Sequence, residues 1–74
     1  MSCRAIYHAF GREFDDVWIG AGPTKVRATI IEICPTANII SIEPYKPNED
    51  ELQETHTKIE TTEPGMEIYR LQVY

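Results

Sequence analysis

Serine is nearly absent, cysteine is scarce, and no long apolar run occurs in this chain of 74 residues. The two serines are Ser2 and Ser41, and Ser41 lies within a strand pattern with no base beside it, so a Ser/His/Asp nucleophile system has no support. Cys3 and Cys34, with His8 and His56, are the whole supply of soft metal ligands, and they show neither Cys-x-x-Cys nor His-x-x-x-His spacing. Neither a metal site nor a cofactor is expected from them. No stretch approaches the roughly 18 apolar residues of a membrane span. The opening Met1-Ser2-Cys3-Arg4-Ala5-Ile6-Tyr7-His8 has no apolar signal core. The expectation is a cytoplasmic protein, away from membranes, with reduced thiols; a single Cys3–Cys34 bridge is the alternative.

The length predicts one domain over residues 1–74. A domain this small buries only about 60% of its unfolded surface, so stability is marginal and an enclosed catalytic cleft is hard to build. A non-enzymatic protein is the expectation. The hydrophobic content of 42% is ordinary for a folded chain.

Negative charge is abundant but confined. Residues 43–67 carry eight acids (Glu43, Glu49, Asp50, Glu51, Glu54, Glu60, Glu63, Glu67) against Lys46 and Lys58, a local −6. Residues 1–42 balance Glu13, Asp15, Asp16 and Glu32 with Arg4, Arg12, Lys25 and Arg27, and Arg70 brings the whole to −5. Such a surface repels nucleic acid, so direct nucleic-acid binding is not expected. Solubility and a partner with a basic surface are the two explanations.

The pattern along the chain predicts an α+β fold: a small, mostly antiparallel sheet of four or five strands with one long helix on one face. Residues 3–10 alternate, with Cys3, Ala5, Tyr7 and Ala9 on one side, and read as a strand. Gly11-Arg12-Glu13 reads as a turn, and Phe14–Ile19, dense in Val17, Trp18 and Ile19, as a second strand. Gly20-Ala21-Gly22-Pro23 breaks it. Val26, Thr29, Ile30, Ile33 and Cys34 then recur with helical spacing from Pro23 to Pro35. Ile39–Glu43 reads as a central strand. Asn48 followed by Glu51 resembles a capping box for a short acidic helix over 49–55, whose apolar content is Leu52 alone. Residues 55–62 and 66–73 read as a last hairpin around the type II turn Glu63-Pro64-Gly65-Met66.

Three sets of residues are functional candidates. Glu49, Asp50, Glu51 and Glu54, with Asp15 and Asp16, form an anionic surface for a basic partner, and Tyr45 between two prolines is its aromatic anchor. The bland alternative for Glu49-Asp50-Glu51 is a solvated helix start that suits the helix dipole. The second set is the turn Gly20, Gly22, Thr24 and Lys25, where a strand meets a helix N-terminus that can hold a phosphate or nucleotide. It has neither P-loop spacing nor a dinucleotide fingerprint. The third is an edge strand such as Met66–Val73, through which an assembly subunit would pair.

The run Val17-Trp18-Ile19-Gly20-Ala21-Gly22-Pro23-Thr24-Lys25-Val26-Arg27, with its helix and the strand Ile40–Glu43, resembles a pattern in small phage and prophage accessory proteins. These have an aromatic strand, a Thr/Gly-Pro-x-Lys-x-Arg helix start, and a strand ending in charge and proline. The resemblance spans about residues 14–47; Val26 stands where Ala is usual, and Pro35 interrupts the helix end. It implies an accessory protein of a mobile element, acting in the host cytoplasm on a host protein. Anti-CRISPR proteins and other DNA-mimicking inhibitors are among that class. It transfers no functional residue.

Overall fold

Two glycine-assisted reversals organise the chain. In a computed structural model that describes residues 1–61 and 63–72, β1 (Ser2–Ala9) and β2 (Arg12–Ile19) pair antiparallel from Ser2↔Ile19 to Ala9↔Arg12. Only Phe10 and Gly11 lie between them, with φ of 54° and 72°. Two positive φ values make this a type I′ turn, whose twist matches that of the strands. The turn therefore sits one residue earlier than the expected Gly11-Arg12-Glu13. The second reversal is at Pro64-Gly65, where Gly65 has φ of 80°, as position i+2 of a type II turn requires.

The described residues form an α+β fold with a five-stranded, wholly antiparallel sheet in the order β3-β1-β2-β5-β4. The remaining elements are α1 (Pro23–Ile33), β3 (Asn38–Pro44), α2 (Glu49–Thr55), β4 (His56–Ile59) and β5 (Glu67–Leu71). Three expectations need correction. The helix is not long: α1 has 11 residues, about three turns, because Pro35 allows no helical residue beyond Ile33. β3 is an edge strand rather than a central one, because α1 carries the chain over β1 to its free side. The Met66–Val73 segment supplies an internal strand, β5, held between β2 and β4. Thr62 and Val73, which entered those readings, lie outside the described residues, as does Tyr74.

Alternation fixes the core. Cys3, Ala5, Tyr7 and Ala9 are all buried on the face that receives Val26 and Ile30 of α1, and Trp18, Met66 and Ile68 extend the same cluster. Both cysteines are free thiols. Ile33, expected on the packed face of α1, is 64% exposed. It points to the side where α1 has nothing to pack on.

The opposite face has its own cover. β3 and β4 are the two edges, so the connection between them must cross four inter-strand steps, about 19 Å. Residues 45–55, including α2, make that crossing. Val17, on the face away from Trp18, is 1% exposed, Leu52 of α2 is 3% exposed, and both lie outside the main cluster. The acidic segment is thus a strap across the back of the sheet, anchored by Leu52. Asn48 caps it: its Oδ1 accepts from the amides of Asp50 at 3.0 Å and Glu51 at 3.3 Å.

Candidate functional site

α1 lies against β3 and β1. A helix is about 10 Å wide, so it covers roughly half of a five-stranded face. The other half, over β2, β5 and β4, is open, and a groove of about 720 Å³ runs along it. Its floor is Tyr7, Phe14, Asp16, Trp18, Ile68 and Arg70; Ile30 and Ile33 of α1 form one wall, and Ile59, Thr61 and Met66 the other. Phe10, 67% exposed in its left-handed turn position, stands with Ile33 at the mouth.

A charged triad is set into this floor. Asp16 is 0% exposed. A bare buried carboxylate is very costly, and here three donors meet it. The Tyr7 hydroxyl donates to Oδ2 at 2.6 Å, and Arg70 donates through Nε to Oδ1 at 3.0 Å and through Nη2 to Oδ2 at 3.2 Å. Register explains the meeting: Asp16 pairs with Ala5 on one side and with Arg70 on the other. The Arg70 guanidinium also lies 4.4 Å from the Phe14 ring centre, and Phe14 stacks against Tyr7 at 5.3 Å. Burial, then the hydrogen bond to Asp16, push the Tyr7 phenol well above the ordinary tyrosine range. The hydrogen bond to Asp16 likewise raises Arg70. With its oxygens engaged, Asp16 is a structural anion rather than a free base. Trp18 Nε1 is buried with no acceptor among the described residues.

The rim of the groove is acidic. Glu32, Glu60 and Glu63 line it beside Asp16, against Arg70 as the one base in the lining. Glu63 bonds Lys25 at 2.7 Å, while Glu32 and Glu60 make no ion pair among the described residues.

The residues singled out from sequence scatter over the molecule. Glu49, Asp50, Glu51 and Glu54 are exposed together on α2. Tyr45 is half-buried where the strap begins, and its amide donates to the Ser2 carbonyl at 3.0 Å. Asp15 does not join them: it is held by Arg4 at 2.6 Å on the strap side of the sheet. Asp16 cannot be a docking residue, because alternation turns it into the core face. In the Gly20–Lys25 turn, the Gly20 amide already donates to the Met1 carbonyl at 2.8 Å, and Lys25 is taken by Glu63. Gly20, with φ of 83°, is required there for another reason: a Cβ would collide with the Gly65 carbonyl oxygen. Gly22 is the N-cap of α1 with no side-chain cap, and Thr24 is exposed on its first turn. Sequence reading missed the triad, since Arg70 and Asp16 are 54 residues apart. The one available signal was Asp16 itself, an acid in phase with Trp18 and Phe14.

No family model matches the chain, and no significant match occurs among curated proteins or solved structures.

Proposed function

We propose that the chain is a non-enzymatic binding protein that docks on the basic surface of a partner protein through the acidic strap. Glu54 carries the proposal. Glu49, Asp50 and Glu51 occupy the first turn of α2, where the helix dipole alone accounts for them. Glu54 sits in the last turn, where a negative charge opposes the dipole, and no base stands near it in that turn. It forms no ion pair among the described residues. Helix stability therefore disfavours the residue, and a basic partner supplies the missing compensation. Tyr45 at the start of the strap provides an aromatic contact beside the acids. Combined with the resemblance to phage accessory proteins, this supports occlusion of a nucleic-acid-binding host protein by charge mimicry as the specific form of the proposal.

Electrostatic docking acts mainly on the association rate and weakens as salt shortens the screening length from about 10 Å at 0.1 M to about 3 Å at 1 M. Partners captured from lysate on the immobilised chain should elute with salt and be lost when Glu49, Asp50, Glu51 and Glu54 are all changed to Gln. Salt-independent capture, or capture by that variant, would overturn the proposal. A second reading, an assembly subunit, is favoured by one observation: among the described residues β3 is an edge with no strand on its outer side, and it bears Ile40, half exposed. Light scattering that shows a strict monomer would end it.

A further inference from the structure

We infer that the open half of the core face is the seat of a basic amphipathic helix from a partner protein, its apolar stripe on Phe10, Phe14, Ile33 and Ile59 and its Lys or Arg side chains on Glu32 and Glu60. This rests on the reading of the chain as a binder of basic proteins, and adds a contact surface on the face opposite the strap.

The shape argues for a helix. A five-stranded sheet has room on one face for two helices side by side, and α1 takes only the β3–β1 half. In the half without a helix, Trp18 and Ile68 are already buried by their neighbours and the one buried acid is neutralised in place, so the apolar surface on offer is the half-buried Phe14 and Ile59 and the exposed Phe10 and Ile33. Charge selects the occupant. The lining carries Asp16, Glu32, Glu60 and Glu63 against Arg70, and Glu32 and Glu60 form no ion pair among the described residues. An acidic helix would be repelled, and an apolar one would leave the rim unmatched.

Phe10 is an independent pointer to the same place. Type I′ turns favour Asn or Gly at the first central position, and a bulky residue at positive φ is strained. Phe10 keeps the strained conformation, yet its ring stays in solvent at the groove mouth, beside the exposed Ile33. Folding gains nothing from this arrangement. An apolar lip that meets an incoming helix does.

Trp18 is the only tryptophan, so its fluorescence reports on the groove floor. The probe is an 18-residue Leu/Lys peptide with an apolar face of helical period. Its controls are a peptide of the same composition with the face scrambled, and the Leu/Glu counterpart. The Leu/Lys helix should shift Trp18 emission saturably, and both controls should fail. Phe10→Asn combined with Glu60→Lys should weaken binding about tenfold, the loss expected for one good anchor. Phe10→Asn alone should raise the unfolding midpoint, so a binding loss cannot be blamed on misfolding. The Gln variant of Glu49, Asp50, Glu51 and Glu54 should still bind the probe with the Trp18 shift, which keeps the fate of the groove separate from that of the strap. Equal binding of a control peptide, an unmoved Trp18 signal, or full affinity in the Phe10→Asn/Glu60→Lys variant overturns the inference. So does a dimer of the free chain that Phe10→Asn disrupts, because a second copy would then fill the groove.

Discussion

The two halves of the sheet's core face are built from residues of different size. Under α1 lie Cys3, Ala5 and Ala9, small enough for a helix to approach closely. In the open half lie Phe14, Trp18 and the Tyr7–Asp16–Arg70 triad, large enough to shield one another with no helix above them. The difference shows two ways of closing a sheet in a chain too short for two full layers. One half uses the packing of helix on small side chains. The other uses bulk and a satisfied ion network, and it leaves a groove. The first should be sensitive to added volume and the second to lost charge balance.

Loss of charge balance is expected to have the largest effect. Arg70→Ala leaves Asp16 fully buried with only the Tyr7 bond, an uncompensated charge. Removing one partner of a buried pair costs about 3–5 kcal/mol. A domain of this size has about 4–11 kcal/mol in all, so much of the folded population is at risk. Urea unfolding followed by circular dichroism should show a collapse of the midpoint, and Asp16→Asn should restore part of it by removing the stranded charge. If Arg70→Ala unfolds like the parent, the triad is not what closes the open half.

Volume comes next. Ala5→Leu should cost about 2 kcal/mol, because Ala5 is wholly enclosed beneath α1 and cannot accept three more carbons without shifting the helix. Phe14→Leu, in the open half, should cost only about 1 kcal/mol, the value of its contacts with Tyr7 and Arg70. Thermal unfolding of both variants tests the contrast directly. A reversed order would mean that α1, not the groove, is the loosely packed side.

Much of this architecture was legible in the sequence, and the largest exceptions share a cause. Local signals held: the alternation of Cys3, Ala5, Tyr7 and Ala9, the helix start at Pro23, the Asn48 cap, and the turn at Pro64-Gly65. Two misses were local, the first turn by one residue and the length of α1, and the larger ones were long-range. The position of β3 at an edge and of β5 inside the sheet depends on which side of β1 the chain passes, and no residue of β3 or β5 encodes that choice. The groove was invisible because it is the absence of a second helix over residues that themselves look like ordinary core. Asp16 misled for the same reason: beside Asp15 it reads as surface charge, and only its register against Arg70 makes it an interior ion. The strap reads as weakly apolar because Leu52 is its only apolar helix residue, yet that one side chain is 3% exposed and so fastens it.

A smaller effect separates the two halves by pH. Tyr7→Phe removes one hydrogen bond to an ionised acceptor that keeps two others, a loss of about 1.5 kcal/mol. The phenol's pKa is raised on folding, from about 10 in the unfolded chain. Its contribution is therefore fully present below pH 10 and is lost as pH rises through and beyond that value, because the unfolded chain deprotonates first. The urea midpoints of parent and Tyr7→Phe should converge as pH rises above about 10, while ionisations common to both cancel. A constant gap across that range would show that Tyr7 contributes packing rather than the proton to Asp16.

The smallest effect concerns the strap, which shares neither half of the core face. Asn48→Ala removes the acceptor for two amides at the start of α2 and should cost about 1 kcal/mol. The cost should be local. Leu52 still anchors the segment, and the β-sheet ladders do not pass through it. Hydrogen exchange should therefore speed up at Asp50, Glu51 and Leu52 and stay unchanged at Ala5 and Val17. Trp18 emission should also be unchanged, since the groove lies on the other side of the sheet. Equal acceleration at all five amides would mean that strap and sheet open together, and that the acidic segment is part of the fold's cooperative unit rather than a separable surface laid across it.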